Sequence, residues 1–425
     1  MAYTETTSVG LGGRLGASFR GIGVGCILIV AGTILLWWNE GNFVATRDAL
    51  TAARAVTQEL GDISKLDGAK NGQLVHATGA VATEDMLSDP VFALSVNAIR
   101  LERSVEFYQW VEESKSEKKK KLGGSEETVT TYTYAARWTN HPVDSSNFKD
   151  PKARADNRNI VLATLENFKV QATNVSFGAY RLPDFMISSI SGAAPMDVAL
   201  SETTKTTLNQ QVTLAMRQAA AASPQVQRPE GEEMVHVSGD TVFLGASPGM
   251  PQIGDVRVSF KETKPDVVSI IAQVNGDTFE KYHASNGKTV SLLSMGTHSL
   301  ENMYGEAQAA NATMTWILRL VGLLLVIFGL KLFVAPLDVL ASVIPLVGSI
   351  VGAGTGLVSA LLGIAWSLLI VSIAWLRFRP LVGIAMLVVS GVLIALLYVR
   401  GRSRHAVNTA NTPAPAAATA DMNKT

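Results

Sequence analysis

The placement of apolar segments most constrains what this chain can fold into. An uncharged run of eighteen residues, Gly21–Trp38, lies near the N-terminus, and roughly 270 mostly polar residues separate it from the next run, which begins at Trp316. From there to Val399 the sequence is almost continuously hydrophobic. Because a helix needs about 20 apolar residues to cross a membrane, the pattern predicts an integral membrane protein with one large polar domain between its first two spans.

The spans and their flanks divide the chain further. We predict four spans, a polar domain and two cytoplasmic ends, with the bounds 1–19 (N-terminal segment), 20–38 (span), 39–312 (polar domain), 314–333, 357–376 and 381–399 (spans within the membrane region 313–399), and 400–425 (disordered tail). Residues 339–356, interrupted by Pro345 and several glycines, are predicted to be re-entrant or interfacial. In the alternative model they cross as a fifth span.

The basic residues near the span ends favour four spans by a small margin. Four spans place six of them inside and four outside, whereas five spans give five on each side. Arg14 and Arg20 precede the first run as in a signal peptide, but Trp37 and Trp38 follow it in place of a small-x-small cleavage site, which favours a retained span. Trp37, Trp38 and Trp316 are predicted interfacial anchors, and Arg319 is placed to extend towards the interface.

The composition excludes several classes of function. The chain has 36 basic and 36 acidic residues, so its balanced charge gives no electrostatic basis for binding nucleic acid. Its single cysteine, Cys26, lies in the first apolar run, which excludes an intramolecular disulfide and a CxxC site.

The polar domain contains two similar segments, Leu74–Gly79 and Met234–Gly239, each a short β-branched run that ends at glycine. When the two segments are aligned, His76 corresponds to His236 and Gly79 corresponds to Gly239. They predict two related β-rich modules, at about 62–180 and 225–300. Further predicted elements are strands at Thr128–Ala136 and Val267–Val274 and helices within Ala199–Ala222 and Ala45–Leu60, so the expected class is an α+β, β-rich domain beside a helical multi-pass bundle.

Other motifs are open to two interpretations. The lysine run Lys118–Lys121 is favoured as a solvated hairpin tip over a contact with anionic lipid or an acidic partner. Gly348, Gly352 and Gly356 have the spacing of a helix-association motif, although glycine is also common in membrane helices.

No pattern of catalytic or metal-binding residues stands out. The six histidines lack metal-ligand spacing, and for His76 and His236 a local hydrogen bond is favoured over a metal pair. There is no G-x-S-x-G motif. We therefore expect no catalytic, metal or cofactor site and no enzyme activity.

The chain resembles the transmembrane protein 43 family, also called LUMA, over nearly its whole length. The matching elements are the two echoing segments together with Asn39–Gly41, Tyr132–Trp138, Asp144–Phe148 and Trp375–Leu381. The sequence departs from the family at Ala155–Ile160, where members often have a His-Asn-Pro-like element, so a role tied to that histidine does not transfer.

The resemblance implies a four-span protein with a large lumenal domain that self-associates and organises membranes. Animal members lie in the endoplasmic reticulum and inner nuclear membrane and bind emerin and lamins. The composition favours a bacterial member, for which we expect the plasma membrane, membrane lipids and envelope proteins as partners, and a homo-oligomer. The expected function is a non-enzymatic scaffold; the alternatives are a transporter or channel component and a lipid-handling protein.

Overall fold

The computed structural model describes residues 2–222 and 233–378, and beyond these residues 380, 384, 385, 388 and 392. Apart from residues 384, 385, 388 and 392, the predicted span 381–399 lies outside the described residues, and so does the predicted tail 400–425. The chain forms two compact units. The β-rich unit comprises residues 1–17, 45–313 and 339–349, and the helical unit comprises residues 18–44, 314–338 and those from 350 onwards.

In the described ranges, three helices are long and apolar enough to cross a membrane, namely Leu11–Val56, Leu300–Ala341 and Ile350–Phe378. The α-helices are α1 (Leu11–Val56), α2 (Pro151–Asp156), α3 (Asp184–Ile187), α4 (Glu202–Ala222), α5 (Leu300–Ala341) and α6 (Pro345–Phe378). The predicted spans 20–38, 314–333 and 357–376 lie within α1, α5 and α6. Residues 345–356 form the first turns of α6 and are continuous with the span that follows them.

Glycines bring the long helices together in the helical unit. A Cβ atom on Gly32 of α1 would lie 2.9 Å from the carbonyl oxygen of Gly322 of α5, and one on Gly363 of α6 would lie 2.5 Å from Cγ1 of Ile327. Small residues allow this approach, and van der Waals packing drives helix association where lipid removes the hydrophobic driving force.

The described residues form nineteen strands and two 3₁₀ turns, Gly68–Lys70 and Ser145–Asn147. The strands are β1 (Ala2–Val9), β2 (Gln58–Glu59), β3 (Leu74–Thr83), β4 (Met86–Asp89), β5 (Leu94–Asn97), β6 (Arg100–Lys120), β7 (Glu126–Thr139), β8 (Phe168–Gln171), β9 (Val175–Phe177), β10 (Tyr180–Arg181), β11 (Ala194–Pro195), β12 (Val235–Ser238), β13 (Thr241–Leu244), β14 (Val256–Thr263), β15 (Val267–Asn275), β16 (Thr278–Glu280), β17 (Tyr282–His283), β18 (Thr289–Val290) and β19 (Leu292–Met295). The predicted combination of membrane helices with a large β-rich region is confirmed at this level.

An eight-stranded sheet is built around the long β6–β7 hairpin. Its strand order is β1-β7-β6-β14-β13-β12, with β8 also paired to β6 and β11 to β14. The N-terminal strand β1 pairs antiparallel with β7, from Ala2 opposite Thr133 to Val9 opposite Glu126. The predicted hairpin tip is confirmed, since the lysine run ends β6 and Gly123 and Gly124 form the turn, both at positive φ.

A seven-stranded sheet completes the β-rich unit, in the order β19-β15-β16-β10-β9-β3-β2, and it closes through an additional β15–β3 pairing. Two further strand pairs, β4–β5 and β17–β18, flank the two sheets. One hydrophobic cluster draws side chains from both large sheets, including Phe260 of β14 and Phe177 of β9, neither of which is exposed. Burial of aromatic side chains on this scale dominates the energetics of such a core.

The two echoing segments occupy different surroundings. Leu74–Gly79 belongs to β3, which has neighbours on both sides in the seven-stranded sheet, whereas Met234–Gly239 contains β12, the end strand of the eight-stranded sheet. Each predicted module contributes strands to both sheets, so the modules share one core. Their duplication stays a prediction.

Candidate functional site

An ion pair is buried in the helical unit, at the end of the first predicted span. The carboxylate of Glu40 has no exposed surface, and Arg319 donates to it from Nε at 2.6 Å and from Nη2 at 2.8 Å. The indole Nε1 of Trp375 also donates to Glu40. Removing a charge from water is unfavourable unless the charge is paired and hydrogen-bonded, and here all three helices contribute to that pairing.

Aromatic rings enclose the arginine of this pair. The guanidinium carbon of Arg319 lies 4.6 Å from the ring centre of Trp316 and 5.7 Å from that of Trp375. Sequence reasoning places Arg319 at a span end and misses its partner. The sequence feature that could have identified this ion pair is the position of two opposite charges: Glu40 follows the first apolar run, and Arg319 lies near the start of the next one.

An apolar cavity adjoins the ion pair and lies mainly between α5 and α6. Its volume is about 450 Å³, within the range of ligand pockets. The lining residues are Leu36, Trp316, Arg319, Leu320, Leu323, Ile364, Ser367, Leu368, Val371 and Trp375. The buried hydroxyl of Ser367 has no hydrogen-bond partner among the described residues. This hydroxyl has almost no accessible surface, so a ligand in the cavity meets an apolar wall, which suits an apolar ligand.

The predicted association motif lies on α6. A Cβ atom on Gly352 would meet no atom of the described chain within 4 Å, whereas one on Gly356 would lie 3.1 Å from Nζ of Lys331. Gly348 lies in the first turns of the same helix. The role of this motif in helix association stays a prediction.

The predicted interfacial anchors are exposed. Trp37, Trp38 and Trp316 expose 41%, 55% and 67% of their surface. Exposed tryptophans at the ends of the apolar segments of α1 and α5 suit the membrane–water boundary, and this role also stays a prediction.

The echoing histidines make local hydrogen bonds. His76 contacts Glu59 through Nδ1 at 2.8 Å and the carbonyl oxygen of His298 through Nε2 at 3.0 Å, while His236 contacts the carbonyl oxygen of Ala246 at 3.1 Å. Among the described residues no group of three or more His, Cys, Asp or Glu side chains is placed to hold a metal ion.

The two echoing glycines lie in different local environments. A Cβ atom on Gly79 would lie 2.2 Å from Cδ1 of Ile63, and Gly239 adopts φ +57° at the β12–β13 turn. The positive φ at Gly239 favours glycine, whereas a side chain at Gly79 would require Ile63 to move.

Comparison with known proteins identifies the family. The family model described as Transmembrane protein 43 matches residues 107–380, more than half of the chain. The chain belongs to the transmembrane protein 43 family. It is 28% identical to Transmembrane protein 43 of Rattus norvegicus over 384 residues, 87% of either chain, and 27% identical to that of Homo sapiens over 405 residues, 92% of either chain. It is also 28% identical to a homolog from Drosophila melanogaster over 374 residues, covering 85% of this chain and 90% of the relative. No solved structure matches.

The family resemblance inferred from the sequence motifs is thereby confirmed. The matched region includes Arg319, Ser367 and Trp375, which line the cavity.

Proposed function

We propose that this transmembrane protein 43 family member is a non-enzymatic, multi-pass membrane scaffold that self-associates and organises membrane proteins and lipids. The observation that carries the proposal is how the β-rich unit is held. Parts of α1 and α5 within that unit pack on the seven-stranded sheet in one buried cluster, which comprises Ala49, Leu50, Ala53, Leu74, Ile271, Ala284, Val290, Met303 and Tyr304.

Polar contacts reinforce this double attachment. The Tyr304 hydroxyl lies 2.7 Å from Oγ1 of Thr57, and Arg54 pairs with Glu301. The chain therefore enters and leaves the β-rich unit through two helical segments that pack on the same sheet. Tethering at both ends raises the effective concentration for lateral contacts between copies, which is what a scaffold requires.

The orientation of the chain is part of the proposal. The distribution of basic residues around the spans supports a β-rich unit whose body lies outside the cytosol. Residues 2–9 pair with β7 and belong to that same unit. In a bacterial host the location is the plasma membrane with envelope proteins as partners; in a eukaryotic host it is the endoplasmic reticulum or inner nuclear membrane.

The mass of the intact protein in lipid nanodiscs tests self-association. We expect an oligomer whose mass falls in Gly352→Ile, because a bulky side chain within the small-residue motif prevents close helix approach. Gly23→Ile is the matched control, since Gly23 of α1 also has open space around it. A wild-type monomer at all concentrations would refute the scaffold, and an unchanged oligomer in Gly352→Ile would exclude this motif.

Lipid handling is the second candidate, and the cavity beside Glu40 and Arg319 favours it. We propose that one lipid acyl chain occupies it against its apolar walls. Native mass spectrometry of the nanodisc-purified protein should show a retained lipid that is lost in Leu323→Trp, which fills the cavity, and kept in Leu357→Trp on an exposed face of α6. Equal retention in the two variants would exclude the cavity as a lipid site.

A further inference from the structure

The tip of the β6–β7 hairpin contacts two segments that are remote in sequence. The backbone N–H of Gly123 donates to the carbonyl oxygen of Val343 at 3.1 Å. Arg14 donates from Nη1 to the carbonyl oxygen of Gly124 at 2.5 Å and to Oγ of Ser342 at 2.8 Å. The tip, the start of α1 and the α5–α6 turn therefore form one cluster within the β-rich unit.

The α5–α6 turn fixes where this cluster lies. Residues 342–344 connect two helices that are each long and apolar enough to cross a membrane. Hydrocarbon cannot hydrogen-bond an irregular backbone, so a lipid-exposed connection between two spans lies at a membrane surface. The hairpin tip, which is bonded to that turn, lies at the same surface.

The tip carries an excess of positive charge at this position. Residues 115–127 contain five lysines and three glutamates. Lys118 pairs with Glu126 at 3.4 Å and Lys121 with Glu127. Among the described residues, Lys119 and Lys120 are not paired with a carboxylate, so their ammonium groups are available to anions.

Exposed apolar side chains accompany the lysines. Leu122, at the turn itself, is 82% exposed, and Val343 and Ile344 of the α5–α6 turn are 40% and 57% exposed. In a fully solvated hairpin tip these apolar side chains would be exposed to water, which is unfavourable. Leucine and isoleucine beside lysines match the boundary between acyl chains and anionic headgroups, where apolar burial and charge attraction add together.

We propose that the hairpin tip, residues 118–122, together with the α5–α6 turn, forms a binding surface for anionic lipid headgroups. Lys119 and Lys120 contact the headgroups, and Leu122 and Ile344 insert between them. This assignment goes beyond the proposed scaffold function: it concerns the lipid next to the chain, and it requires the tip and the α5–α6 turn to share one membrane surface.

Depth-dependent fluorescence quenching tests the assignment on the full chain. Cys26→Ser removes the native cysteine, and Leu122→Cys carries an environment-sensitive fluorophore. The protein is placed in nanodiscs of phosphatidylcholine alone or mixed with phosphatidylglycerol, each with a headgroup-quencher lipid. We expect stronger quenching with phosphatidylglycerol and a decline with added salt, since exposed charges are screened. Each lysine removed, in Lys119→Gln or Lys120→Gln, should weaken the association of the tip about five-fold.

A matched control separates this surface from general charge effects. Replacing exposed lysines elsewhere in the β-rich unit by glutamine, at positions 149, 152 and 261, should leave quenching unchanged. Quenching that is equal in the two kinds of nanodisc, or insensitive to salt, would overturn the proposal and leave a solvated tip. Retention of an acidic protein by the lysine run without any dependence on phosphatidylglycerol would equally overturn it.

Discussion

Gly25 of α1 and Gly329 of α5 face each other so closely that neither position has room for a side chain. A Cβ atom on Gly25 would lie 2.6 Å from the carbonyl oxygen of Gly329, and one on Gly329 would lie 2.7 Å from the carbonyl oxygen of Gly25. Distances under 3.0 Å to backbone atoms require the helices to separate. This contact sets the spacing of α1 and α5 in the helical unit.

The first prediction concerns this contact. We expect Gly25→Val and Gly329→Val each to lower the free energy of unfolding by about 1–3 kcal/mol, the usual range for overpacking. Gly23→Val is the control, because a Cβ atom there meets nothing within 4 Å. The measurement is the unfolding midpoint of the solubilised protein, followed by helical circular dichroism. Equal midpoints for the Gly23 and Gly25 variants would contradict the contact.

The second prediction concerns Glu40 and Arg319. Glu40→Gln leaves a buried guanidinium without its counter-charge, so we expect a loss of about 3–5 kcal/mol, as for other broken buried pairs. The double variant Glu40→Gln with Arg319→Gln should lose less than the sum of the two single variants. The same unfolding midpoints measure this, and additive losses would mean that the pair is not coupled.

The exposed pair Arg54–Glu301 provides the comparison for that experiment. The two side chains are 49% and 61% exposed, and exposed ion pairs contribute only about 0–1 kcal/mol. We therefore expect Arg54→Gln to shift the midpoint little. A loss as large as that of Glu40→Gln would show that burial is not what distinguishes the two pairs.

Local patterns predicted much of the fold. The strands expected at Thr128–Ala136 and Val267–Val274 lie within β7 and β15, and the helix expected within Ala199–Ala222 is α4, from Glu202. The helix expected within Ala45–Leu60 continues α1 as far as Val56. In each of these segments the side-chain periodicity and residue propensities favour the conformation observed.

Long-range pairing explains what the sequence did not predict. The segment Ala2–Val9 shows no strong strand pattern of its own, and it becomes a strand by pairing with β7, more than a hundred residues away. Strand β6 continues to Lys120 through a run of charged residues, because β7 supplies a pairing partner there. Glu40 and Arg319 are likewise 279 residues apart, and only the packing of α1 on α5 joins them.

The third prediction concerns pH and Asp85 of the β-rich unit. The pKa of Asp85 falls from 3.8 to about 2, chiefly because its carboxylate accepts hydrogen bonds from the backbone and side-chain amides of Asn174, and also from the backbone N–H of Thr173. A lowered pKa stabilises the folded state above the unfolded-state pKa, and this stabilisation disappears as the pH falls towards the folded-state value.

Asp85→Asn tests this linkage. We expect the variant to unfold more easily than the parent at neutral pH, and the difference to shrink between about pH 4 and pH 2 as Asp85 is protonated in the parent. The measurement is the denaturant midpoint of tryptophan fluorescence across that range. A difference that is constant with pH would show that the carboxylate charge has no part in holding Asn174.

The fourth prediction concerns the cluster of the hairpin tip, the start of α1 and the α5–α6 turn. The predicted topology separates residues 1–19 from the tip by a membrane, whereas the contacts of Arg14 and Gly123 bring them together. In a Cys26→Ser background, Leu122→Cys and Ile344→Cys should cross-link with a short bifunctional thiol reagent. They should also share the same accessibility to a membrane-impermeant label added to sealed vesicles.

A third position shows how the tip relates to the rest of its domain. Met250, 76% exposed in the loop between β13 and β14, reports the side on which the body of the β-rich unit lies. Labelling of Met250→Cys and Leu122→Cys from the same side would put the whole β-rich unit and the α5–α6 turn on one side of the membrane. Residues 11–17 would then lie on that same side, and α1 would not carry the chain across between them and the β-rich unit. Labelling from opposite sides, with the cross-link intact, would mean that the polar β6–β7 hairpin passes through the membrane plane. Lipid-exposed charged strands cannot do this, so that result would require other copies of the chain to enclose the hairpin. Absence of the cross-link would instead refute the contact between Gly123 and Val343.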